Sequence, residues 1–473
     1  MKIRFTTLGC KLNFAESSAL GKELLARGHQ RASLSDVPDI CVVNTCSVTD
    51  AADHKDRQAI HQLHRKYPNA IIIVTGCYAQ LQPKQVSEIE GVDYVLGQNE
   101  KYEIPKLVAI LESDAANAAI GRSQSEPLAT GERLEAKGEK IRVGAIREVE
   151  EFHGVHSGDD RTRCFIKVQD GCNYFCTYCT IPYARGKSRN PKIEEVVKSA
   201  KEALEQGAKE LIITGVNIGD FGRSTGETFI DLLRALDSLE DAAKAAIGRS
   251  QSELLAIGDR QEAKSESLEA RDYRVRISSC EPNLLTDEII DFVAHSKHFA
   301  PHFHIPLQSG SNEVLKIMGR RYTRELFEER VNRIKERMPH AFIGVDCMVG
   351  VRGETKAYWE DYLAFIKRLN VSQLHVFTYS ERANTRMLEM DLYVVPKKER
   401  QRRSKILHEV SEEKTHTFYA QHAGKEAIVL WESKKEGELM AGFTDNYIKV
   451  HRPYDKTKIN TFEKVVVGVE CKV

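Results

Sequence analysis

From Lys2 to about residue 385 the chain alternates short aliphatic, β-branched runs with amphipathic helical stretches. That alternation admits little besides parallel sheet covered by helices. The first strand-like runs are Lys2–Leu8, Ile40–Asn44, Ala70–Thr75 and Tyr94–Leu96, with helical patterns near Glu16–Arg27, Asp53–Lys66 and Pro83–Glu90. They predict a doubly wound parallel sheet over residues 1–112. The second series is Cys164–Val168, Glu210–Thr214, Arg274–Ser279, His302–Leu307, Phe342–Val349 and Gln373–Phe377. In its first helix, Lys192–Gln206, apolar Ile193, Val196, Val197, Ala200 and Leu204 recur at helical spacing, and Gly207 stops it. About six such βα units predict a partial barrel over residues 160–386, because closure needs eight. Residues 387–415 read as a charged helical connector. The final stretch, 416–473, reads as short strands between glycines and polar turns, a small antiparallel β-barrel. The fold class is α/β.

Residues 113–159 read as a linker. Within it, residues 114–137 are a near copy of residues 241–264, identical at 19 of 24 aligned positions. Two copies so far apart do not make a solenoid, which needs stacked neighbours at short period. A duplicated surface insertion is expected, with a protein-docking element as the alternative; loop closure entropy grows slowly enough to tolerate it.

Cys172, Cys176 and Cys179 lie in the run Gln-Asp-Gly-Cys-Asn-Tyr-Phe-Cys-Thr-Tyr-Cys-Thr. Three thiolates at this spacing can hold three irons of a [4Fe–4S] cube and leave the fourth iron open to a small molecule. S-adenosylmethionine (SAM), a cofactor of radical reactions, is the obvious partner for an open iron. Zinc is the alternative, with His153 or His156 completing the set, although the spacing fits no common zinc module. On the expected topology this loop follows the first barrel strand, at the strand ends where parallel βα folds place active sites.

A second set repeats the idea without local spacing. Cys10, Cys46 and Cys77 each end a strand-like run, Thr-Leu-Gly-Cys, Val-Asn-Thr-Cys and Val-Thr-Gly-Cys. In a parallel sheet these ends share one edge, so the three thiols converge on a second candidate cluster site. Glycine beside Cys10 and Cys77 lets backbone approach closely. Cys41, Cys164 and Cys347 read as strand or core residues.

Composition sets the remaining bounds. Eleven cysteines in 473 residues, an odd and scattered number, fit a reducing cytoplasm rather than a disulfide framework. No run of 18 apolar residues suggests a membrane span, and Met1–Phe5 leads into strand rather than a signal-peptide core. The net charge is zero, so any nucleic-acid contact must come from local basic patches.

Gly9-Cys10, Asn44-Thr45-Cys46, Gly76-Cys77 and Cys172–Cys179, taken together, resemble the radical-SAM methylthiotransferases over nearly the whole chain outside the two repeats. The resemblance implies an N-terminal two-cluster domain, a radical-SAM barrel and a C-terminal RNA-binding TRAM domain. It further implies two [4Fe–4S] clusters. The one on Cys172, Cys176 and Cys179 would bind SAM and generate the 5′-deoxyadenosyl radical that takes hydrogen from C2 of adenine. The one on Cys10, Cys46 and Cys77 would supply sulfur, methylated by a second SAM. Thr45–Thr49, Ala52–Lys55 with Arg57-Gln58, Gly9–Asn13, and Pro182–Gly186 with Arg189 are similar to the branch acting on N6-threonylcarbamoyladenosine-37 of tRNA. Isopentenyladenosine-37 or a ribosomal-protein aspartate are the alternatives within the family. A non-catalytic iron–sulfur RNA-binding regulator is the alternative outside it. Expected partners are the tRNA anticodon loop, a reductant such as flavodoxin or ferredoxin, and a sulfur source.

Further residues follow from the same resemblance. Gly215 and Asn217 end the second barrel strand where the family holds SAM, and Tyr178 is expected against its adenine. Glu281, Gln308 and Ser309 sit at later strand ends and are expected to contact SAM or substrate. Arg185, Lys187, Arg189, Arg320 and Arg321 are candidates for RNA phosphates, and Phe443, Tyr447 and Tyr454 for base stacking. The C-terminal stretch is only weakly basic, 10 Lys/Arg against 8 Asp/Glu over residues 414–473. Two runs depart from the family pattern: Val351-Arg352 stands where Phe-Pro is usual, and Thr378–Thr385 lacks the usual prolines.

Overall fold

The computed structural model describes residues 1–33, 35–120, 139–157, 162–239 and 272–468. The duplicated segment therefore lies outside the described residues, apart from the helical backbone of Ile104–Ile120.

The N-terminal sheet has six strands: β1 (Lys2–Thr7), β2 (Gln30–Arg31), β3 (Ile40–Thr45), β4 (Ile71–Gly76), β5 (Val92–Leu96) and β6 (Ile141–Arg142). Its order is β2-β1-β3-β4-β5-β6 and every pairing is parallel. β3 and β4 are buried along their full length, as the continuous runs Ile-Cys-Val-Val and Ile-Ile-Ile-Val require of strands covered on both faces. The short edge strands β2 and β6 escaped the sequence reading because two residues carry no period. β6 falls in the expected linker and pairs with β5, so the sheet extends past residue 112. Helices α1 (Lys11–Ala26), α2 (Asp50–Lys66) and α3 (Cys77–Leu81) follow β1, β3 and β4.

The central strands are β7 (Arg163–Lys167), β8 (Glu210–Thr214), β9 (Arg274–Ile277), β10 (His302–Gln308), β11 (Phe342–Val349) and β12 (Gln373–Thr378). They form two parallel three-stranded sheets, β7-β8-β9 and β10-β11-β12, joined by the parallel bridges Val275↔Phe299 and Ser279↔His304. The result is an open six-stranded barrel segment. Cys164, Ile166, Leu211, Ile213, Ile305, Ile343, Val345 and Cys347 face the helices and form the largest core cluster. Their neighbours along each strand face the lumen. Cys41, Cys164 and Cys347 are buried.

The connector is the helix Lys397–Ala420, which lies along β12 through paired bonds between the Ser411 hydroxyl and the backbone of Leu374. β13 (Glu426–Glu436), β14 (Leu439–Thr444), β15 (Lys449–Pro453) and β16 (Phe462–Val466) form an antiparallel half-barrel sheet in the order β15-β14-β13-β16. It docks at the start of the barrel strands. Buried Glu210 holds the guanidinium groups of Arg274 and Arg276. These donate to the carbonyls of Phe443 (3.0 Å) and Asp445 (2.9 Å). Phe443 and Tyr447 stack on each other at 4.9 Å, and Arg163 and Arg276 lie over their rings. This corrects their reading as open stacking platforms, because both rings serve the interface with the barrel. Tyr454 lies at the far end of β15, with the Lys435 ammonium 4.9 Å from its ring centroid.

The N-terminal sheet is joined to the barrel through α1. Ala15 packs on lumen-facing Phe165 and Ile212, so α1 covers the open side of the barrel. Beside it Glu16, 1% exposed, accepts from Lys101 (2.5 Å), Lys167 (3.1 Å) and Arg185 (3.0 Å). Asp170 binds Lys167 (2.7 Å), Arg185 (3.0 Å) and Arg189 (3.3 Å). These ion pairs outweigh burial and hold the Glu16 carboxyl well below the usual carboxylate range. Its contribution to stability is therefore complete above its ordinary value of about 4.3 and is lost only as pH falls below it. Glu16→Gln leaves buried cations without their partner and is expected to lower unfolding free energy by about 3–5 kcal/mol at neutral pH. Urea titration followed by circular dichroism measures it, and the deficit should shrink as pH drops below 4.

Candidate active site

β1, β3 and β4 are adjacent in the sheet, so the residues that follow them share one edge. Cys10 caps α1, Cys46 follows β3 directly, and Cys77 opens α3. Gly9 has φ +92°, and a Cβ there would stand 2.5 Å from the Cys46 Cβ. Only glycine lets the Cys10 loop lie against Cys46 in this way. The Asn13 amide fastens the edge by donating to the carbonyls of Leu8 (2.8 Å) and Thr45 (2.9 Å). Burial pushes the Cys46 thiol up to about 12, with Cys77 and Cys10 close enough to add to the effect. Cys77 is raised for the same reason and opposed chiefly by Arg185.

The second triad occupies the loop after β7. Cys172 N–H donates to the Gly186 carbonyl (3.0 Å), Cys179 N–H to that of Cys176 (3.0 Å), and Thr177 N–H to that of Met318 (3.0 Å). Phe175 adopts φ 51°, which turns the chain between Cys172 and Cys176. Burial raises Cys172 to about 11 and Cys179 to about 12. Thiolate ligation at either triad therefore has to expel protons, as metal binding to cysteine does generally.

The two triads stand on touching elements. α3 packs on the helix Ile181–Arg185 that follows Cys179. The Thr180 hydroxyl, next to Cys179, donates to the carbonyl of Ser47, next to Cys46 (3.5 Å). Arg382, from the loop after β12, closes the other side by donating to Asp50 (2.6 Å), Ser47 (2.6 Å) and Asp53 (2.7 Å). Among the described residues no three His, Cys, Asp or Glu converge as ligands of one ion do. Ligands of a cube bind separate irons and stand further apart.

The strand ends around Cys172–Cys179 carry buried polar atoms that lack hydrogen-bond partners: the amide of Asn217, Ser278 Oγ, Asn283 Oδ1 and Gln308 Oε1. Such atoms are costly unless a ligand meets them. Gln308 has φ 65°, an uncommon conformation that sets its side chain at the end of β10. Gly215 leaves room for Gln169, whose amide oxygen would lie 2.9 Å from a Cβ there. That oxygen accepts from Val216 and Asn217 N–H, while Gln169 Nε2 donates to the Gly171 carbonyl (2.8 Å). One buried carboxamide thus ties the cysteine loop to the end of β8. The sequence reading missed it, although it stands two residues before the Gly-Cys pair.

Other expected residues are placed differently. Arg185 and Arg189 are buried in the Glu16–Asp170 network, which corrects their assignment to RNA phosphates. Arg320 also turns inward and donates to Cys176 Sγ (3.3 Å), Tyr178 Oη (3.3 Å) and Glu281. Glu281 is consequently held by Arg320 beside the cysteines. Tyr178 packs against the apolar cluster that contains Val314, Met318 and Met387. Ser309 is fully buried and accepts from Ser311 N–H (3.3 Å). Lys187 is exposed, and Arg321 is exposed with its guanidinium 4.0 Å from the Tyr174 ring centroid. His153 stacks on Tyr102 at 3.8 Å rather than joining the cysteines. The unusual Arg352 forms an ion pair with Glu381 (3.0 Å), so the two departing runs compensate each other.

Residues 166–366 match the Radical SAM superfamily, and residues 2–97 match "Uncharacterized protein family UPF0004". The chain is 35% identical over 96% of its length, and 97% of the relative's, to threonylcarbamoyladenosine tRNA methylthiotransferase MtaB of Aquifex aeolicus. It is 33% identical over 95% of its length, and 89% of the relative's, to MtaB of Bacillus subtilis. The chain belongs to the radical-SAM methylthiotransferase family. The tRNA-2-methylthio-N(6)-dimethylallyladenosine synthase of Staphylococcus aureus is 28% identical over 93% of this chain and 77% of its own. Among solved structures, the radical SAM methyltransferase TsrM of Kitasatospora setae superposes with a TM-score of 0.50 at 16% identity, covering 80% of this chain and 72% of that one, a likeness of fold. The family implies a [4Fe–4S] cluster and SAM. The thiols of Cys172, Cys176 and Cys179 and the unpartnered polar atoms beside them fit both groups. Cys176→Ala is expected to abolish release of 5′-deoxyadenosine from SAM in the reduced, reconstituted methylthiotransferase, as read by liquid chromatography. No helix among the described residues is long and apolar enough to cross a membrane.

Proposed function

We propose that the protein methylthiolates C2 of N6-threonylcarbamoyladenosine-37 in tRNA, using two SAM molecules and two [4Fe–4S] clusters. The observation that carries this reading is the abutment of the two cysteine triads through Thr180 and Ser47, which lets a radical site and a sulfur site serve one base. The MtaB names of the more similar relatives support the choice of nucleoside. A charge argument supports a resident cluster at Cys10, Cys46 and Cys77. Lys101, Lys167, Arg185 and Arg189 are four buried cations against two carboxylates, Glu16 and Asp170. Arg185 faces Cys77 and Cys10, so thiolates there supply the negative charge that the network lacks.

When bound, the cluster on Cys172, Cys176 and Cys179 supplies the electron that cleaves SAM; an aromatic C–H is too inert for acid–base chemistry alone. The chain's own residues do the positioning. Asn217, Ser278 and Gln308 offer polar atoms to SAM, and Gln169 fixes the loop that carries them. Arg320 sits on Cys176 and neutralises Glu281. The N-terminal sheet and α1 cover one side of the lumen and limit the access of water to the radical. The anticodon loop presents its base unpaired, with Lys187 and Arg321 as the exposed cations for its phosphates. A low-potential reductant and a sulfur source complete the reaction.

Nucleoside mass spectrometry of anaerobic reactions tests the reading. 2-Methylthio product from threonylcarbamoyl-tRNA alone supports it. Product from isopentenyladenosine-tRNA alone would move the protein to the sister activity. Cys46→Ala is expected to release 5′-deoxyadenosine but yield no methylthio product, with bound iron falling by about half.

A further inference from the structure

Lys11 follows Cys10 and lies one helical turn before Ala15, so both occupy the face of α1 turned to the barrel. Ala15 touches the lumen residues Phe165 and Ile212. Arg163, Arg276, Glu210 and Asp346 are near enough for their charges to act on the Lys11 ammonium. On the opposite wall, His302 and His304 alternate with core residues Phe303 and Ile305. They therefore face the lumen, as does His375, which is paired in register with Asp346.

The charges in this lumen are mostly answered. Glu210 holds Arg274 and Arg276. Arg163 pairs with Glu432 (2.7 Å) and donates to the Tyr447 hydroxyl (3.3 Å). Asp346 pairs with His304 Nε2 (2.7 Å). Lys11 has no hydrogen bond or ion pair among the described residues. His302, 7% exposed, keeps Nδ1 buried and unpartnered. The His304 and His375 rings stand 4.8 Å apart. Both rings and Lys11 are only partly buried, and Phe377 at the end of β12 is 44% exposed, which leaves the lumen open beside them. Among these groups the Lys11 ammonium is left without a counterion, on a lumen it shares with the half-buried His375 ring.

We propose that Lys11, with His375 beside it, forms a carboxylate-recognition pocket for the amino-acid substituent on N6 of the target adenosine. The proposal rests on the tRNA function proposed above and deepens it. A threonylcarbamoyl group ends in a carboxylate and carries a hydroxyl. An isopentenyl group offers neither, and it would bury an ammonium without return. Lys11 is joined to Cys10 by one peptide bond, so the same turn that offers the sulfur-site ligand senses the substituent.

The test is binding, without reductant, of the reconstituted holoprotein to three anticodon stem-loop RNAs. One bears threonylcarbamoyladenosine at position 37, one its neutral methyl ester and one plain adenosine. Anisotropy gives the affinities, and bound iron per chain confirms equal loading of the variants. The wild type is expected to bind the first RNA roughly ten- to a hundredfold more tightly than the other two, the range of a charge-assisted hydrogen bond. Lys11→Gln should lose that preference while binding plain RNA as before, and Lys11→Arg should keep most of it. His375→Gln, which leaves the cysteine loop untouched, should weaken the preference in part. Equal preference in wild type and Lys11→Gln, or retention of the ester, overturns the pocket. If the wild type shows no preference yet yields 2-methylthio product from threonylcarbamoyl-tRNA, the pocket fails and the function stands. If no tRNA yields product, the function fails on its own.

Discussion

The buried carboxylate of Glu16 is the constraint on which the assembly of the molecule depends. It belongs to α1 of the N-terminal sheet, while its cations come from both sides of the domain boundary: Lys101 from the N-terminal sheet's own side, Lys167 and Arg185 from the barrel. A hydrophobic joint of the same size would tolerate sliding. An ion cluster removed from water does not, because each misaligned charge loses its partner at low dielectric. Register between the two domains is therefore fixed beside the two sets of cysteines. Arg382 repeats the arrangement at α2 with Asp50 and Asp53.

Much of this could be read from the chain. The alternating strands and helices, the cysteine loop and the edge shared by Cys10, Cys46 and Cys77 are local patterns, or follow from topology alone. The joint is different in kind. Glu16, Lys101 and Lys167 are far apart in sequence, and each reads as a solvated charge on an amphipathic element. Arg185 and Arg189 sit in a basic run after the cysteine loop, where a phosphate contact is the natural reading. Only the packing of α1 against β7 shows that they are buried structural cations. Arg320 misleads for the same reason, since nothing local announces that it reaches back to Cys176.

Lys11 is hidden for the opposite reason. In the sequence it reads as part of the motif around Cys10, while its surroundings come from six strands of another domain. The lumen it enters is built from alternate residues of strands whose other faces form the core. Histidines at His302, His304 and His375 look like single polar interruptions until the barrel curves them together.

The docking of the C-terminal sheet joins side chains, with Glu432, Phe443 and Tyr447 set on Arg163 and Arg276, to a set of main-chain contacts. Arg274 and Arg276, braced by Glu210, grip the carbonyls of Phe443, Thr444 and Asp445. Asn446 and Asn460 donate in turn to the carbonyls of His340 and Gly207. The part of the joint written in peptide groups is indifferent to most side-chain replacements. The outward surface of this sheet can drift in charge and shape while its place on the barrel stays the same. Evolution can therefore retune what that surface meets without disturbing the chemistry a domain away.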